Sequence, residues 1–347
     1  MDELFDLLFD ISGKIIKLIK YDRKEKKQIK EIKEKDHIDY QKNRDKKMKE
    51  INELRSCHLC PRECGTDRYT SVGYCRAPAQ PVIARAALHM WEEPCISGEE
   101  GSGAVFFSGC PVKCVYCQNY SIADCTRGKQ VTDDRLSEIF IELQQKNANN
   151  INLVTPTHYT YSVINAVKKA KQKGLTIPVV YNCSGYEKEE TIRLLDGTVD
   201  IYLTDFKYIS SDTAKKYSKA PDYPEVVCKA LDCMFRQVGT PVFDDRGMMK
   251  KGIIVRHLIL PGYEEESKKI IKYLYDNYEN NIYLSIMNQF TPLGNVSGYP
   301  EINRKVSAAE YDRIIDFACD LGVENAFVQD GPTASESFIP EFNGEGV

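Results

Sequence analysis

Short apolar or β-branched runs recur along this chain, at residues 104–108, 150–155, 177–182, 200–205, 252–260, 283–289 and 325–329. Each reads as a buried strand. Between them the apolar positions fall at helical spacing, over 133–146, 161–173, 188–195, 224–238, 264–278 and 308–321. Gly174 and Gly322 stand where helix ends favour a left-handed residue. Repeating strand–helix units predict a parallel sheet with right-handed crossovers. Seven strands in this arrangement predict an α/β fold, a partial or nearly closed (β/α) barrel, with its chemistry at the carboxyl ends of the strands.

Polar residues gather at those ends. The second strand leads into Thr155-Pro156-Thr157-His158, the third into Asn182-Cys183-Ser184-Gly185 and the fourth into Asp205-Phe206-Lys207. The fifth carries Arg256-His257 and runs on to Pro261-Gly262, the sixth ends Met287-Asn288-Gln289, and the last gives Gln329-Asp330-Gly331. Taken together they fit a shared ligand. Taken singly, a loop or cap hydrogen bond accounts for each equally well.

Ahead of the strands the pattern changes. Leu4, Leu7, Leu8, Ile11, Ile15, Leu18 and Ile19 share one helical face, and residues 21–50 hold twelve basic and eight acidic residues. That run is +4, so with a total of −4 the remainder carries −8. It fits a grip on a membrane surface or an acidic partner and, more simply, a solvated helical extension packing its apolar stripe on the body. The organisation expected is a charged helical extension over 1–56, a cysteine-rich lead-in over 57–103, the barrel over 104–330 and a tail over 331–347. The overall charge leaves no nucleic-acid footprint, and no apolar run reaches membrane-spanning length. Met1-Asp2-Glu3 is acidic where a secretory signal is basic, so the expected setting is a reducing cytoplasm.

The thirteen cysteines are clustered. Cys110, Cys114 and Cys117 form a C-x3-C-x2-C loop directly after the first barrel strand. A cubane iron–sulfur cluster normally takes one cysteine per iron, so three leave one iron for an exogenous chelating ligand; a zinc knuckle or a chance group of buried thiols is the alternative. Upstream, Cys57, Cys60, Cys64 and Cys75 lie within nineteen residues, with Pro61, Gly65 and Gly73 supplying turns, a set that suits zinc or a second iron–sulfur centre. The glycines of GEEGSG are no phosphate loop, because no lysine follows and two glutamates would repel phosphate. Glu92 and Glu93 face a substrate or shape the entry to the first strand.

The segments CHLCPREC, EEPCISG, GCPVKCVYCQNY, INLVTPTH and VRHLILPG carry a resemblance that covers almost the whole chain from Cys57. It resembles the radical S-adenosylmethionine (radical SAM) proteins similar to pyruvate formate-lyase activating enzyme, in particular their PflX-like branch. The resemblance implies a barrel of the radical SAM type and a [4Fe-4S] cluster on Cys110, Cys114 and Cys117, with the open iron chelated by S-adenosylmethionine. By the same resemblance Asp205 and Lys207 contact S-adenosylmethionine and a monovalent cation. Asn182 matches the cation-binding aspartate, and Arg256 touches the cofactor's carboxylate region. His158, His257 and Gln289 are the candidates to face substrate. The implied reaction is reductive cleavage to a 5′-deoxyadenosyl radical, with an electron donor such as flavodoxin or ferredoxin and a glycyl-radical enzyme as substrate. Two departures stand out: Thr155–His158 replaces the usual Gly-Gly-Glu, and no ferredoxin-like insert separates the first two barrel strands. They keep open a radical SAM modification of a small molecule or peptide, and beside it a non-enzymatic iron–sulfur electron carrier.

Overall fold

The computed structural model describes residues 50–329 and 340–347, and the chain divides into two units, Met1–Glu53 and Leu54–Val347. The expected N-terminal amphipathic helix and the basic run to residue 49 lie outside the described residues, as do Asp330 and Gly331. Among the described residues every strand belongs to the second unit.

The strands are β1 (Val82–His89), β2 (Ser102–Phe107), β3 (Lys129–Gln130), β4 (Ile151–Val154), β5 (Val179–Cys183), β6 (Ile201–Asp205), β7 (Val242–Phe243), β8 (Met249–Leu258), β9 (Tyr283–Met287) and β10 (Ala326–Val328). The helices of the same unit are α1 (Pro94–Ser97), α2 (Asp133–Gln145), α3 (Thr160–Gln172), α4 (Glu189–Leu194), α5 (Ser211–Ser218), α6 (Tyr223–Val238), α7 (Glu264–Tyr278) and α8 (Ala308–Leu321). Strands β2, β4, β5, β6, β8, β9 and β10 pair in that order and all in parallel. These are the seven strands expected. β1 adds antiparallel to the other edge of β2, and among the described residues no pairing joins β10 back to β1. The result is an open, partial barrel.

Side-chain alternation along each strand separates two layers. Outward residues Val105, Phe107, Ile151 and Leu153 pack with Phe140 and Leu143 of α2 and Val163 and Val167 of α3. Tyr181, Tyr202, Ile253 and Val255 do the same against Leu231 and Met234 of α6 and Ile270 and Leu274 of α7. Burying each such side chain contributes roughly 1.5–3 kcal/mol. Inside, Val180, Ile201, Leu203 and Ile254 close on Cys95 and Ile96 of α1, so a four-residue helix plugs the barrel interior.

Five elements have no counterpart among those expected from the sequence: the two-residue strands β3 and β7, the four-residue helix α1, and the longer β1 and α5. β1 is written VIARAALH, too rich in alanine to alternate clearly. α5 has eight residues, under the length at which periodicity speaks; its Ser210 cap, whose hydroxyl accepts from the Thr213 N–H, is the available signal. Residues 340–347 run beside β1. The Gly344 N–H donates to Ala84 O (3.0 Å), the Ala86 N–H donates to Glu345 O (2.8 Å), and Phe342 meets the Phe106 ring edge-on.

The turn after β5 holds Asp205 in place from behind. Gly185 has φ +75°, and a Cβ there would come within 2.2 Å of the Asp205 carbonyl oxygen. Replacing Gly185→Ala should therefore destabilise the protein by about 2 kcal/mol or more, read as a lower urea midpoint at unchanged slope.

Candidate functional site

The three-cysteine loop begins where β2 ends. Gly109 (φ +92°) permits the turn, because a Cβ would stand 2.7 Å from Cys75 O and 3.1 Å from the His158 ring. Its N–H donates to Ile122 O (2.8 Å), closing the loop's two ends together. The Val115 N–H donates to Tyr217 O on α5 (2.9 Å), and the Ser218 hydroxyl donates to the Cys114 sulfur (3.1 Å). Arg62, from the lead-in, donates to Pro111 O (2.9 Å), Lys219 O (2.7 Å) and Ser218 O (3.4 Å). Its guanidinium stacks over Tyr74 and Tyr186, so loop, helix end and lead-in are tied by one side chain.

Cys110, Cys114 and Cys117 are partly buried, and none is in a disulfide. Loss of water, and then the neighbouring Cys114, push the Cys110 thiol up to about 11 and the Cys117 thiol higher still. Cys110 and Cys117 so placed keep their protons unless a cation displaces them, and metal coordination removes a thiol proton outright. Among the described residues no three His, Cys, Asp or Glu side chains converge on a position for a single ion. A cluster asks something different, one thiolate for each of three irons. Three thiols on one loop, met by a hydroxyl and by the Val112 N–H on the Cys110 sulfur (3.5 Å), fit that demand.

Across the mouth, at the carboxyl end of β6, the Lys207 ammonium donates to Asp205 Oδ2 at 2.5 Å. Burial alone would push Lys207 down, but Asp205 outweighs it and holds its charge on, and sulfur at Cys114 and Cys117 adds to this once it is ionised. Asn182 is half-buried, opposite Val154 on β4 and Leu203 on β6. The Gln118 side chain reaches back to Gln289 O (3.5 Å), and Phe290 packs on the Tyr116 ring. The structure thus brings Cys110, Cys114, Cys117, Asp205 and Lys207 together, with Gln289 at the same loop.

Three expected residues stand elsewhere. Arg256 faces inward, and the Nε–Nη2 edge of its guanidinium is taken by Glu93 (Nε to Oε1 2.7 Å, Nη2 to Oε2 2.6 Å) and by Glu92. Glu92 also accepts from the Asn152 amide (2.9 Å), whose Oδ1 is buried without a partner among the described residues. Glu93 stays well below the usual carboxylate range, Arg256 overriding the effect of burial. Being next to an inward residue, His257 faces outward. There Nδ1 meets Phe206 O (2.8 Å) and Nε2 meets the Ser267 hydroxyl (2.9 Å), and lost water pulls the ring down to about 4. His158 is buried under the start of the cysteine loop with Nε2 on Ser108 O (2.8 Å). Lost water and then Arg68 push it down to about 3, so it is neutral, and its Nδ1 is buried without a partner among the described residues.

In the lead-in, Cys57, Cys60 and Cys75 are buried and Cys64 is exposed. Burial pushes the Cys60 thiol up to about 12, with Cys75 and Cys57 adding to it. Arg68 folds this segment on itself by donating to Ala77 O (3.2 Å) and Pro78 O (2.6 Å), and fixes it to the barrel by donating to His158 O. Near it lies a carboxyl that no sequence pattern singles out, Glu187, which accepts from Thr157 (2.7 Å) and Tyr181 (3.5 Å). Loss of water pushes it up to about 8, against those hydrogen bonds.

These buried charges set two expected outcomes. Glu187 binds a proton in the folded chain at pH values where the unfolded chain has lost it, so its contribution is complete at low pH and is lost as pH rises toward 8. Urea midpoints should fall from pH 5 to pH 8, and less steeply for Glu187→Gln. Removing the cation from the inner triad by Arg256→Met should cost about 3–5 kcal/mol by urea titration, because two buried carboxylates lose their partner.

The sequence model for the radical SAM superfamily matches residues 104–274. The chain is 27% identical over 274 residues to the uncharacterised protein MJ0674 of Methanocaldococcus jannaschii, covering 76% of this chain and 74% of that protein. Among solved structures it is similar to Streptococcus suis SuiB bound to S-adenosylmethionine, at 13% identity and TM-score 0.42, covering 61% of this chain and 44% of that one. SuiB bound to the precursor peptide SuiA gives 13% and 0.41, over 61% and 43%. The chain therefore spans less than half the length of those structures. The matched stretch runs from β2 through the cysteine loop and Asp205–Lys207 to α7, and on that ground the chain carries a radical SAM superfamily domain.

Proposed function

We propose that this chain holds a [4Fe-4S] cluster on Cys110, Cys114 and Cys117 with S-adenosylmethionine beside it, and uses the pair to take a hydrogen atom from a substrate carbon. One juxtaposition carries the reading: the Lys207 ammonium, locked to Asp205 at the carboxyl end of β6, stands at the same end of the parallel sheet as the cysteine loop that leaves β2. When bound, the two groups supply one-electron cleavage of a sulfonium carbon–sulfur bond and, through it, hydrogen abstraction. The chain's own part is binding and shielding. Lys207 offers a fixed positive charge to a cofactor carboxylate, while Asp205 and Asn182 offer acceptors to cofactor hydroxyl or amino groups. Cys95, Ile96 and their apolar neighbours close the far end of the interior.

The finer reading is a protein substrate, a glycyl-radical enzyme first, and it rests on the motif resemblance to its activators. A peptide or small molecule is the second reading, favoured by the Thr155–His158 corner, where His158 is buried against Ser108 O and the sequence carries no carboxylate in place of Gly-Gly-Glu. The electron is proposed to come from flavodoxin or ferredoxin. A second metal centre on Cys57, Cys60, Cys64 and Cys75, whose thiols do not meet at a single-ion position in this structure, is proposed on three buried thiols and one exposed one that lie within each other's electrostatic reach; metal analysis of Cys60→Ser against the parent decides it.

The decisive experiment incubates reconstituted protein anaerobically with S-adenosylmethionine, a strong reductant and a glycyl-radical partner. A persistent organic radical on the partner supports the activating role, and 5′-deoxyadenosine without it directs the search to peptides and small molecules. No cofactor cleavage under reducing conditions leaves an electron carrier. Cys114→Ala should lose iron and all cleavage. Lys207→Ala should keep its iron and bind S-adenosylmethionine more weakly by about 1.5–3 kcal/mol, measured by calorimetry.

A further inference from the structure

Behind the cysteine loop lies a chain of hydroxyls that binding of the cofactors does not itself require. Tyr116 Oη stands 2.5 Å from Tyr208 Oη, Tyr208 Oη stands 2.7 Å from Ser218 Oγ, and Ser218 Oγ stands 3.1 Å from Cys114 Sγ. Ser218 and Tyr208 are fully buried and Tyr116 nearly so. Each hydroxyl has one proton to give. A metal-bound Cys114 is a thiolate and only accepts, so Ser218 spends its proton there. The Tyr208 proton must then go to Ser218, and the Tyr116 proton to Tyr208. The direction of the whole chain is fixed from its sulfur end, and each bond polarises the next.

We propose that Ser218, held in place by Tyr208 and by the helix end that Arg62 grips, is a positioning residue that raises the reduction potential of the centre bound through Cys114. This rests on the cluster assignment made above. One electron from an external reductant adds negative charge that spreads onto the sulfur ligands, and a donor aimed at one of them stabilises the reduced state more than the oxidised one. Hydrogen bonds to sulfur are among the factors that set such potentials. The geometry is specific to the position. Ser218 is the last residue of α5, and Lys219 after it is left-handed (φ 50°). Both of their carbonyls accept from Arg62. That grip places a cation at the negative end of a helix and keeps the hydroxyl on the sulfur.

The test uses the full chain loaded with iron and sulfide without oxygen, and follows the reduced centre by electron paramagnetic resonance during a redox titration. Ser218→Ala should retain the parent's iron and sulfide but fall about tenfold in reduced-to-oxidised ratio at a fixed potential, equivalent to about 59 mV for a one-electron couple. Ser218→Thr, which keeps the hydroxyl, should stay near the parent value. Tyr208→Phe should shift the same way by less, and Tyr116→Phe by less again. That gradient along the relay is what a packing defect would not produce. A parent-like potential in fully loaded Ser218→Ala, or equal shifts in all four variants, overturns the proposal. If Ser218→Ala does not fold, Tyr208→Phe decides alone: a lowered potential supports the relay and an unchanged one overturns it. A parent chain that takes up no iron or sulfide refutes the cluster assignment itself, and the relay with it.

Discussion

A loop made of cysteines, a proline and turns cannot satisfy its own backbone, and an unpaired buried N–H or C=O costs about as much as a lost hydrogen bond. Everything around the Cys110–Cys117 loop answers that constraint. The Gly109 N–H is met by Ile122, the Val115 N–H by Tyr217 and the Pro111 carbonyl by Arg62. The partners come from three places, the loop's own return, a short helix after β6 and the segment upstream of β1. The lead-in is therefore a wall of the site. Thr191 on α4 donates to Leu59 O (2.7 Å), and Lys188 pairs with Glu63, so the lead-in is also fastened to the third β/α unit.

The interior is organised by a second requirement, that a buried guanidinium be neutralised. Glu92 and Glu93 do this from the turn that leads straight into α1, the plug of the barrel. One short segment thus supplies both the apolar stopper and the counter-charges above it. Two carboxylates against one guanidinium leave a formal excess of one negative charge. The Asp205–Lys207 pair at the mouth is neutral by itself, so the two layers differ in character.

Much of the fold was legible because parallel strands buried on both faces announce themselves as apolar runs. The bounds of α7 and α8 match the sequence reading residue for residue, and six of the strands lie within or a residue or two of theirs; β8 begins three residues earlier, where its first residues pair with β7. The site was legible in part. The cysteine spacing and the Asp-x-Lys pair identified groups that do meet. What failed at His257 was the face: the strand was right, yet the alternation that points Arg256 inward points its neighbour out. The surroundings of His158 and Arg256 were hidden for another reason. Their partners, Ser108, Glu92 and Glu93, come from segments about 50 and 160 residues away, which no local pattern reports. Ser218 and Arg62 were invisible likewise, since their roles exist only once α5 and the lead-in dock.

The segment at 340–347 has a bearing on how the chain is made. Strand β1 is an outer strand of the sheet, and its backbone at Ala84 and Ala86 is paired by residues about 260 positions later; the bond from Arg85 to Glu341 O spans 256. During synthesis at roughly 5–20 residues per second, that edge exists for many seconds before its cover does. An uncovered edge is a template for pairing with another chain. The nascent protein therefore passes through a stage in which the lead-in, β1 and β2 are already out but their outer border is bare, a stage at which chaperones and dilution matter more than final stability.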